Sequence, residues 1–247
     1  MFHAISGGVG AYRQLAEALS ENASLRGVTA LGRLPGEVPL DDVKRMAAGY
    51  AEQIADDSAG RGVGLLGWCM GGLLAHETAS ILSCRSIPIM FVALLDTNLV
   101  VTKDPARAPW LKKMFWSSLG GIALGPKWSS VEFEHVTLGR TDEEKRAVLK
   151  SAVEIASEER INFDVLFSVF SANWAATQNY VPTPYAGKVD FFAASDSEYG
   201  DAAEQWKRHS GGEVFVHQLS GSHFSILQYP SVDTIADWVR SSIRSNT

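Results

Sequence analysis

"LLGWCMGG", residues 65–72, is the stretch on which the reading of the whole chain turns. An apolar run ends here, a tryptophan and a cysteine follow, and paired glycines lead into residues with helical spacing. Gly67-Trp68-Cys69-Met70-Gly71 fits the G-x-nucleophile-x-G turn that joins a strand to a helix, with cysteine where serine is usual. Such a turn strains the backbone at its central residue, and glycine on either side lets neighbouring chain approach closely. Leu74, Thr78 and Leu82 recur at i, i+4, as do Ala75 and Ala79, so a helix is expected over 70–82. Its N-terminus points at the thiol and favours the thiolate. The competing reading is a core cysteine, since free cysteine is among the most buried residue types.

Outward from this turn, short apolar runs at 63–66, 89–95 ("IMFVALL"), 189–193 ("VDFFA") and 214–219 ("VFVHQL") read as strands. The first two lack alternation, as strands buried on both faces do. Helical patterns fall at about 11–19, 41–56, 70–82 and 232–243. Strand and helix alternate, which gives an α/β fold with a mostly parallel central sheet flanked by helices. Residues from about 99 to 176 break the rhythm: "DPARAPWLKKMFWSSLGGIALGP" is rich in Pro, Gly and Trp, and "TDEEKRAVLKSAVEIASEER" is an amphipathic helix. One strand-like run lies there, near 131–138. The segment is too apolar to stay disordered, so we expect a single domain over 1–247 with a mainly helical lid inserted at about 99–176.

A chain of 247 residues is long enough for one such domain with a sizeable core. A formal charge of −6 argues against a general affinity for nucleic acid or anionic membrane and leaves a small molecule or a protein as partner. Cys69 and Cys84 lie at opposite ends of the expected helix, roughly 22 Å apart at ~1.5 Å per residue, beyond disulfide reach. A reduced, cytoplasmic setting is the expectation. The chain has no apolar run of membrane-spanning length and no basic-then-apolar start, so neither a span nor an export signal is expected.

A cysteine nucleophile needs a base, and His223 in "LSGSHFSILQYP" is placed for it, after the last strand and before the last helix. That order, nucleophile, acid, base, is the one in which a histidine reaches back over a parallel sheet. A loop histidine satisfied by local hydrogen bonds is the alternative. Two aspartates compete to orient the imidazole: Asp96 follows "FVALL" at one strand end, and Asp196 follows "VDFFAAS" at the next. Patterning alone does not separate them. For the oxyanion, the Met70 amide directly after the nucleophile is one donor, and the Ile5 amide in "HAISGGVG" is the other. That glycine-rich loop is not a dinucleotide fingerprint, because "GGVGAYR" places Arg13 where the third glycine belongs. No metal and no bound cofactor are expected.

These blocks together resemble the thioesterase domains that end nonribosomal peptide and polyketide assembly lines, in the α/β-hydrolase superfamily. The resemblance is carried by "FHAISGGVGAYRQLAEAL", "LLGWCMGGLLAHETA", "FVALLDTNL", "NWAATQNYVPTPYAGKVDFFAA" and "GSHFSILQYPSV". It implies Cys69 as nucleophile, His223 as base and Asp96 as acid, because the chain-releasing kind bears its acid after "LLD". The stand-alone editing kind places it one strand later, where Asp196 lies. It implies an acyl or peptidyl chain delivered on the phosphopantetheine arm of a carrier protein. Cysteine in place of serine keeps the acyl group an activated thioester, so we expect release by attack of an internal amine or hydroxyl, a cyclisation that extends to a strained lactam or lactone, with hydrolysis as the competing outcome. In the lid, Trp110, Phe115, Trp116 and Trp128 are candidates to contact substrate and exclude water, although aromatics in a helical insertion also serve as packing. Such domains usually have strand residues ahead of the "FH" block, and this chain begins almost on it, so either a sheet edge is missing or the chain belongs to a longer one. The readings set against chain release are an editing or general (thio)ester hydrolase of the same fold, and a non-catalytic binding member of it.

The two aspartates are separable by mutation. Asp96→Asn is expected to lower turnover of a thioester substrate by about 10⁴-fold while Asp196→Asn leaves it within about twofold, read by steady-state kinetics; the reverse pattern assigns the acid to Asp196.

Overall fold

Parallel strands require a crossover between each pair, and the alternation of strand and helix supplies one. The computed structural model describes residues 1–21, 23–99, 108–124, 138–156, 162–197 and 200–245. Strands β1 (Val63–Trp68), β2 (Ile89–Leu95), β3 (Val189–Ala194) and β4 (Val214–Leu219) form one parallel sheet in the order β1-β2-β3-β4. Trp68 pairs with Leu95, Leu95 with Phe192, and Ala194 with Leu219, so the carboxyl ends of the strands lie side by side. The chain before Phe2 and around Val28 adds short parallel bridges beyond β1: Phe2 N–H donates to the Leu66 carbonyl at 3.0 Å and His3 N–H to the Val28 carbonyl at 2.9 Å. The loop "HAISGG" thereby leaves the sheet beside the turn that follows β1.

Both faces of the sheet are covered. On one, helices α2 (Val43–Ser58) and α3 (Met70–Cys84) pack with Val92, Leu94 and Phe191; on the other, α1 (Arg13–Leu19) and the last helix, Ser231–Ser245, pack with Ala93, Leu95 and Phe192. Successive residues of β2 thus bury themselves on opposite sides, which is why its sequence is apolar without alternation. Three helices, α4 (Ala108–Leu124), α5 (Asp142–Ala156) and α6 (Phe163–Gln178), form the inserted segment around Trp116, Leu119, Leu149, Val153, Phe163 and Phe170. α5 starts on a capping box, with Thr141 N–H donating to Glu144 Oε2 at 2.6 Å and Glu144 N–H donating to Thr141 Oγ at 3.3 Å. α6 starts on Asn162, whose side chain accepts from Val165 N–H at 3.2 Å.

Several boundaries differ from expectation. The first helix begins as a 3₁₀ turn, Gly10–Tyr12, before α1. β1 runs on to Trp68 because Gly67 and Trp68 still pair with Leu94 and Leu95. A helix at Ala202–His209, here α7, was not expected; at eight residues its apolar signal is little more than Ala202 and Trp206, which are the residues it buries. The final helix is α8, Ser231–Ser245. The strand-like run at 131–138 lies outside the described residues apart from Leu138, which sits in an exposed turn. Among the described residues no helix is long and apolar enough to cross a membrane.

Close packing joins α3 to the start of the chain. A Cβ on Gly71 would lie 2.6 Å from the Phe2 carbonyl oxygen and 3.1 Å from that of His3. Gly71→Ala is therefore expected to cost more than about 3 kcal/mol in urea unfolding. Gly49→Ala, on α2 with open space around it, is expected to gain about 0.5–1 kcal/mol.

Candidate active site

Cys69 stands between β1 and α3 with φ 57° and ψ −127°, a left-handed conformation that strains a side-chain-bearing residue by about 1–3 kcal/mol. It is held there by its own N–H, which donates to the Leu95 carbonyl at 3.1 Å, and by its carbonyl, which accepts from Gly72 N–H at 3.1 Å. A Cβ on Gly67 would overlap the Gly71 carbonyl, so the turn closes only with glycine there. The cysteine is half-buried, and Cys84 is exposed; both are free.

Asp96 and His223 meet beside this turn. Asp96 follows β2 directly, is 1% exposed, and has φ 42°. Its Oδ1 accepts from Ala194 N–H at 3.2 Å, and its Oδ2 accepts from Ser197 Oγ–H at 2.7 Å and lies 2.8 Å from His223 Nδ1. With the carboxylate as acceptor, Nδ1 is the protonated nitrogen of the neutral ring. Cys69 lies close enough to the imidazole to raise its affinity for a proton. Burial alone lowers the affinity of His223 for a proton, but the charge of Cys69 and the hydrogen bond and charge of Asp96 outweigh it and raise its pKa to about 9. Trp68 stacks on the ring at 4.8 Å between centroids and donates its indole N–H to the His223 carbonyl at 2.8 Å. Asp196 is elsewhere: it is exposed, its carboxylate accepts from Ser195 Oγ–H at 3.0 Å, and its N–H donates to the Gly221 carbonyl at 2.9 Å.

The Met70 amide opens α3, where an amide has no intrahelical acceptor. The Ile5 amide likewise donates to no protein group among the described residues. Sequence reasoning missed what holds the Ile5 loop. Tyr12 donates its hydroxyl to the Phe2 carbonyl at 2.8 Å and accepts from Trp68 N–H at 2.6 Å, tying the loop to the last residue of β1. Burial pushes that phenol well above its ordinary pKa, so it stays a donor. His3, fully buried, bonds the Ala4 carbonyl and the Tyr50 hydroxyl, each at 2.9 Å. Asn173 of α6 donates to the Ile5 carbonyl at 3.0 Å. A buried asparagine inside an apolar helix was the available signal, because such an amide needs a partner.

Of the lid aromatics, Trp116 is 5% exposed within the three-helix cluster and donates its indole N–H to Asp142 Oδ1 at 3.0 Å. Phe115 is half-buried and meets Trp116, Phe170 and Trp174 edge to face at 5.1, 5.1 and 5.6 Å. Both residues are thus placed in the packing of the lid itself. Trp110 lies on α4, but its side chain, like all of Trp128, lies outside what is described. Among the described residues no group of three His, Cys, Asp or Glu is placed to hold a metal ion.

A family model described as "Thioesterase domain" matches residues 1–243. Pyochelin synthetase PchF of Pseudomonas aeruginosa is 27% identical over 249 residues, which cover 87% of this chain and 14% of that protein. Polyketide synthase PksR of Bacillus subtilis is 24% identical over 94% of this chain and 10% of its own length. The chain thus spans a small part of the curated relatives it matches. Among solved structures, a four-domain nonribosomal peptide synthetase superposes with a TM-score of 0.78 at 20% identity over 97% of this chain and 19% of that one. The RedJ thioesterase from the prodiginine pathway of Streptomyces coelicolor superposes at 0.67 and 20% identity over 98% and 88%. These likenesses show the α/β-hydrolase fold.

Three histidines with shifted proton affinities, His223, His3 and His76, give stability a maximum in pH. His223 binds a proton more tightly folded than unfolded, so its contribution is complete below about 6.5 and is lost as pH rises through about 9. His3 and His76, each held down to about 4 by burial, contribute above about 6.5 and lose that contribution as pH falls through about 4. Urea midpoints are expected to peak near pH 6.5 and fall on both sides. Cys69→Ser, which removes one of the two neighbours that raise the His223 pKa, is expected to flatten the alkaline limb alone.

Proposed function

The chain belongs to the thioesterase domain family, and from that premise we propose that it releases acyl or peptidyl chains delivered on the phosphopantetheine thioester of a carrier-protein domain, with Cys69 as nucleophile. The observation that carries this reading is the meeting of Cys69, His223 and Asp96 at one end of the sheet, with His223 Nδ1 2.8 Å from Asp96 Oδ2 and the thiol of Cys69 near enough to shift the proton affinity of the imidazole. The synthetases among its relatives support a carrier domain as partner.

In the first half-reaction the Cys69 thiolate attacks the acyl carbonyl, and the negative charge passes to the carbonyl oxygen, toward which the Ile5 and Met70 amides donate. The tetrahedral intermediate collapses, the bond to the phosphopantetheine sulfur breaks, and that sulfur leaves as a thiol with the proton from the imidazolium of His223. In the second, His223 takes the proton of the incoming nucleophile, the acyl group leaves sulfur, and the Cys69 thiolate returns. Asp96 keeps the imidazole in one tautomer throughout.

Sulfur at this position has a thermodynamic consequence. Transfer from a thioester to serine gives an oxygen ester and runs downhill, whereas transfer to Cys69 gives another thioester and is near thermoneutral. The acyl group keeps its activation, and a thiolate leaves more readily than an alkoxide because its conjugate acid is far stronger. Retained activation favours attack by an amine or hydroxyl of the bound chain, so the product class we assign is a ring, including a strained lactam or lactone. Hydrolysis, with water as acceptor, is the second reading.

Incubating the protein with an acyl-N-acetylcysteamine thioester bearing an internal amine and recording intact mass is expected to show the acyl group on Cys69 and none on Cys69→Ala. A cyclic product supports the release mode, and free acid alone assigns hydrolysis. Absence of any adduct, with no turnover, leaves the non-catalytic reading. Cys69→Ser is expected to shift the product toward acid and to slow ring formation at least about tenfold; unchanged product and rate remove the argument from retained activation.

A further inference from the structure

The Ile5 loop is held almost carbonyl by carbonyl. The Phe2 carbonyl accepts from Tyr12 Oη–H at 2.8 Å, and the Ala4 carbonyl from Gly7 N–H at 2.9 Å with His3 Nδ1 also at 2.9 Å. The Ile5 carbonyl accepts from Asn173 Nδ2–H at 3.0 Å, and the Ser6 carbonyl from Arg33 at 3.3 Å. The peptide planes on both sides of the Ile5 Cα are therefore tied through their oxygens, and the Ile5 N–H is the polar group of that residue with no protein acceptor among the described residues. Of these ties one alone comes from the inserted helices. Asn173 is 1% exposed on α6, and the Ile5 side chain packs against the same three-helix cluster, beside Phe170 and Trp174.

We propose that Asn173 is a positioning residue: from the lid it sets the orientation of the Ile5 amide, so that the oxyanion site takes its working geometry only while α6 is seated on the loop. This rests on the reading of Cys69 as nucleophile and Ile5 as oxyanion donor. Asparagine is a poor helix former, and a buried amide without a partner is costly, so an apolar residue would serve α6 better if its packing were the sole requirement. Its retained donor is spent on the Ile5 carbonyl, in the peptide plane one Cα beyond the Ile5 N–H.

Two reactions of the same sulfur separate positioning from structure. Attack on a thioester builds an oxyanion; alkylation by iodoacetamide displaces iodide from an sp³ carbon and builds none. Asn173→Ala is expected to lower kcat for an acyl-N-acetylcysteamine thioester by about 10- to 10²-fold with KM within about twofold. The rate of Cys69 alkylation by iodoacetamide is expected to stay within about twofold of the unmodified protein. Asn173→Leu, which fills the same volume without a donor, is expected to behave alike and serves if the alanine variant does not fold. The proposal is overturned if either folded variant keeps its kcat, or if alkylation falls in step with kcat, which marks a disturbed thiolate or fold. If the unmodified protein alkylates at Cys69 yet takes no acyl group from the thioester, the nucleophile reading fails instead.

Discussion

A cysteine at φ 57° holds a conformation that its own side chain resists, and the packing around it has to offset that resistance. Gly67 and Gly71 make the packing possible. The first lets the turn fold back against the Gly71 carbonyl, and the second lets α3 lie against the carbonyls of Phe2 and His3. The same close approach brings the start of the chain beside the turn and puts the Trp68 amide nitrogen 2.6 Å from the Tyr12 hydroxyl. One strained residue thus draws β1, α3 and the start of the chain into a common knot, and the chemistry of the site is arranged around it.

The parallel register supplies what the turn does not. Because β2, β3 and β4 end level with β1, Asp96 emerges next to the turn, Ala194 and Ser197 emerge where they donate to its carboxylate, and His223 returns to it from the far strand. Three donors on one carboxylate leave it a fixed acceptor, and Trp68 covers one face of the imidazole. Asp96 on one side and Cys69 on the other raise the proton affinity of His223 in spite of burial.

Much of this was legible from residue order because the signals are local. The G-x-C-x-G run, the apolar strand before it and the i, i+4 helix after it are encoded within twenty residues, and all four strands were placed to within two residues of their ends. The choice between Asp96 and Asp196 was not local: both close an apolar strand, and only the three-dimensional register puts one of them against the imidazole while the other faces solvent. Tyr12 and Asn173 were missed for the same reason, since each makes its decisive bond to a residue far along the chain. α7 was missed for a different one: with eight residues it shows too few turns for periodicity to register.

The bond from α6 to the Ile5 carbonyl also bears on how such a molecule can change over generations. Under the proposed function, the inserted helices are the part that has to be reshaped when a different chain is released, and the Ile5 loop is the part that has to stay as it is. Among the described residues the two meet along one face of α6, through the Asn173 amide, the Ile5 side chain and Val169, which lies against Gly7, while Trp116 and Phe170 centre the lid's own core. The helices of the insertion are accordingly free to lengthen, tilt or be recomposed around their own aromatic centre, as long as the face of α6 that carries Asn173 stays where it is.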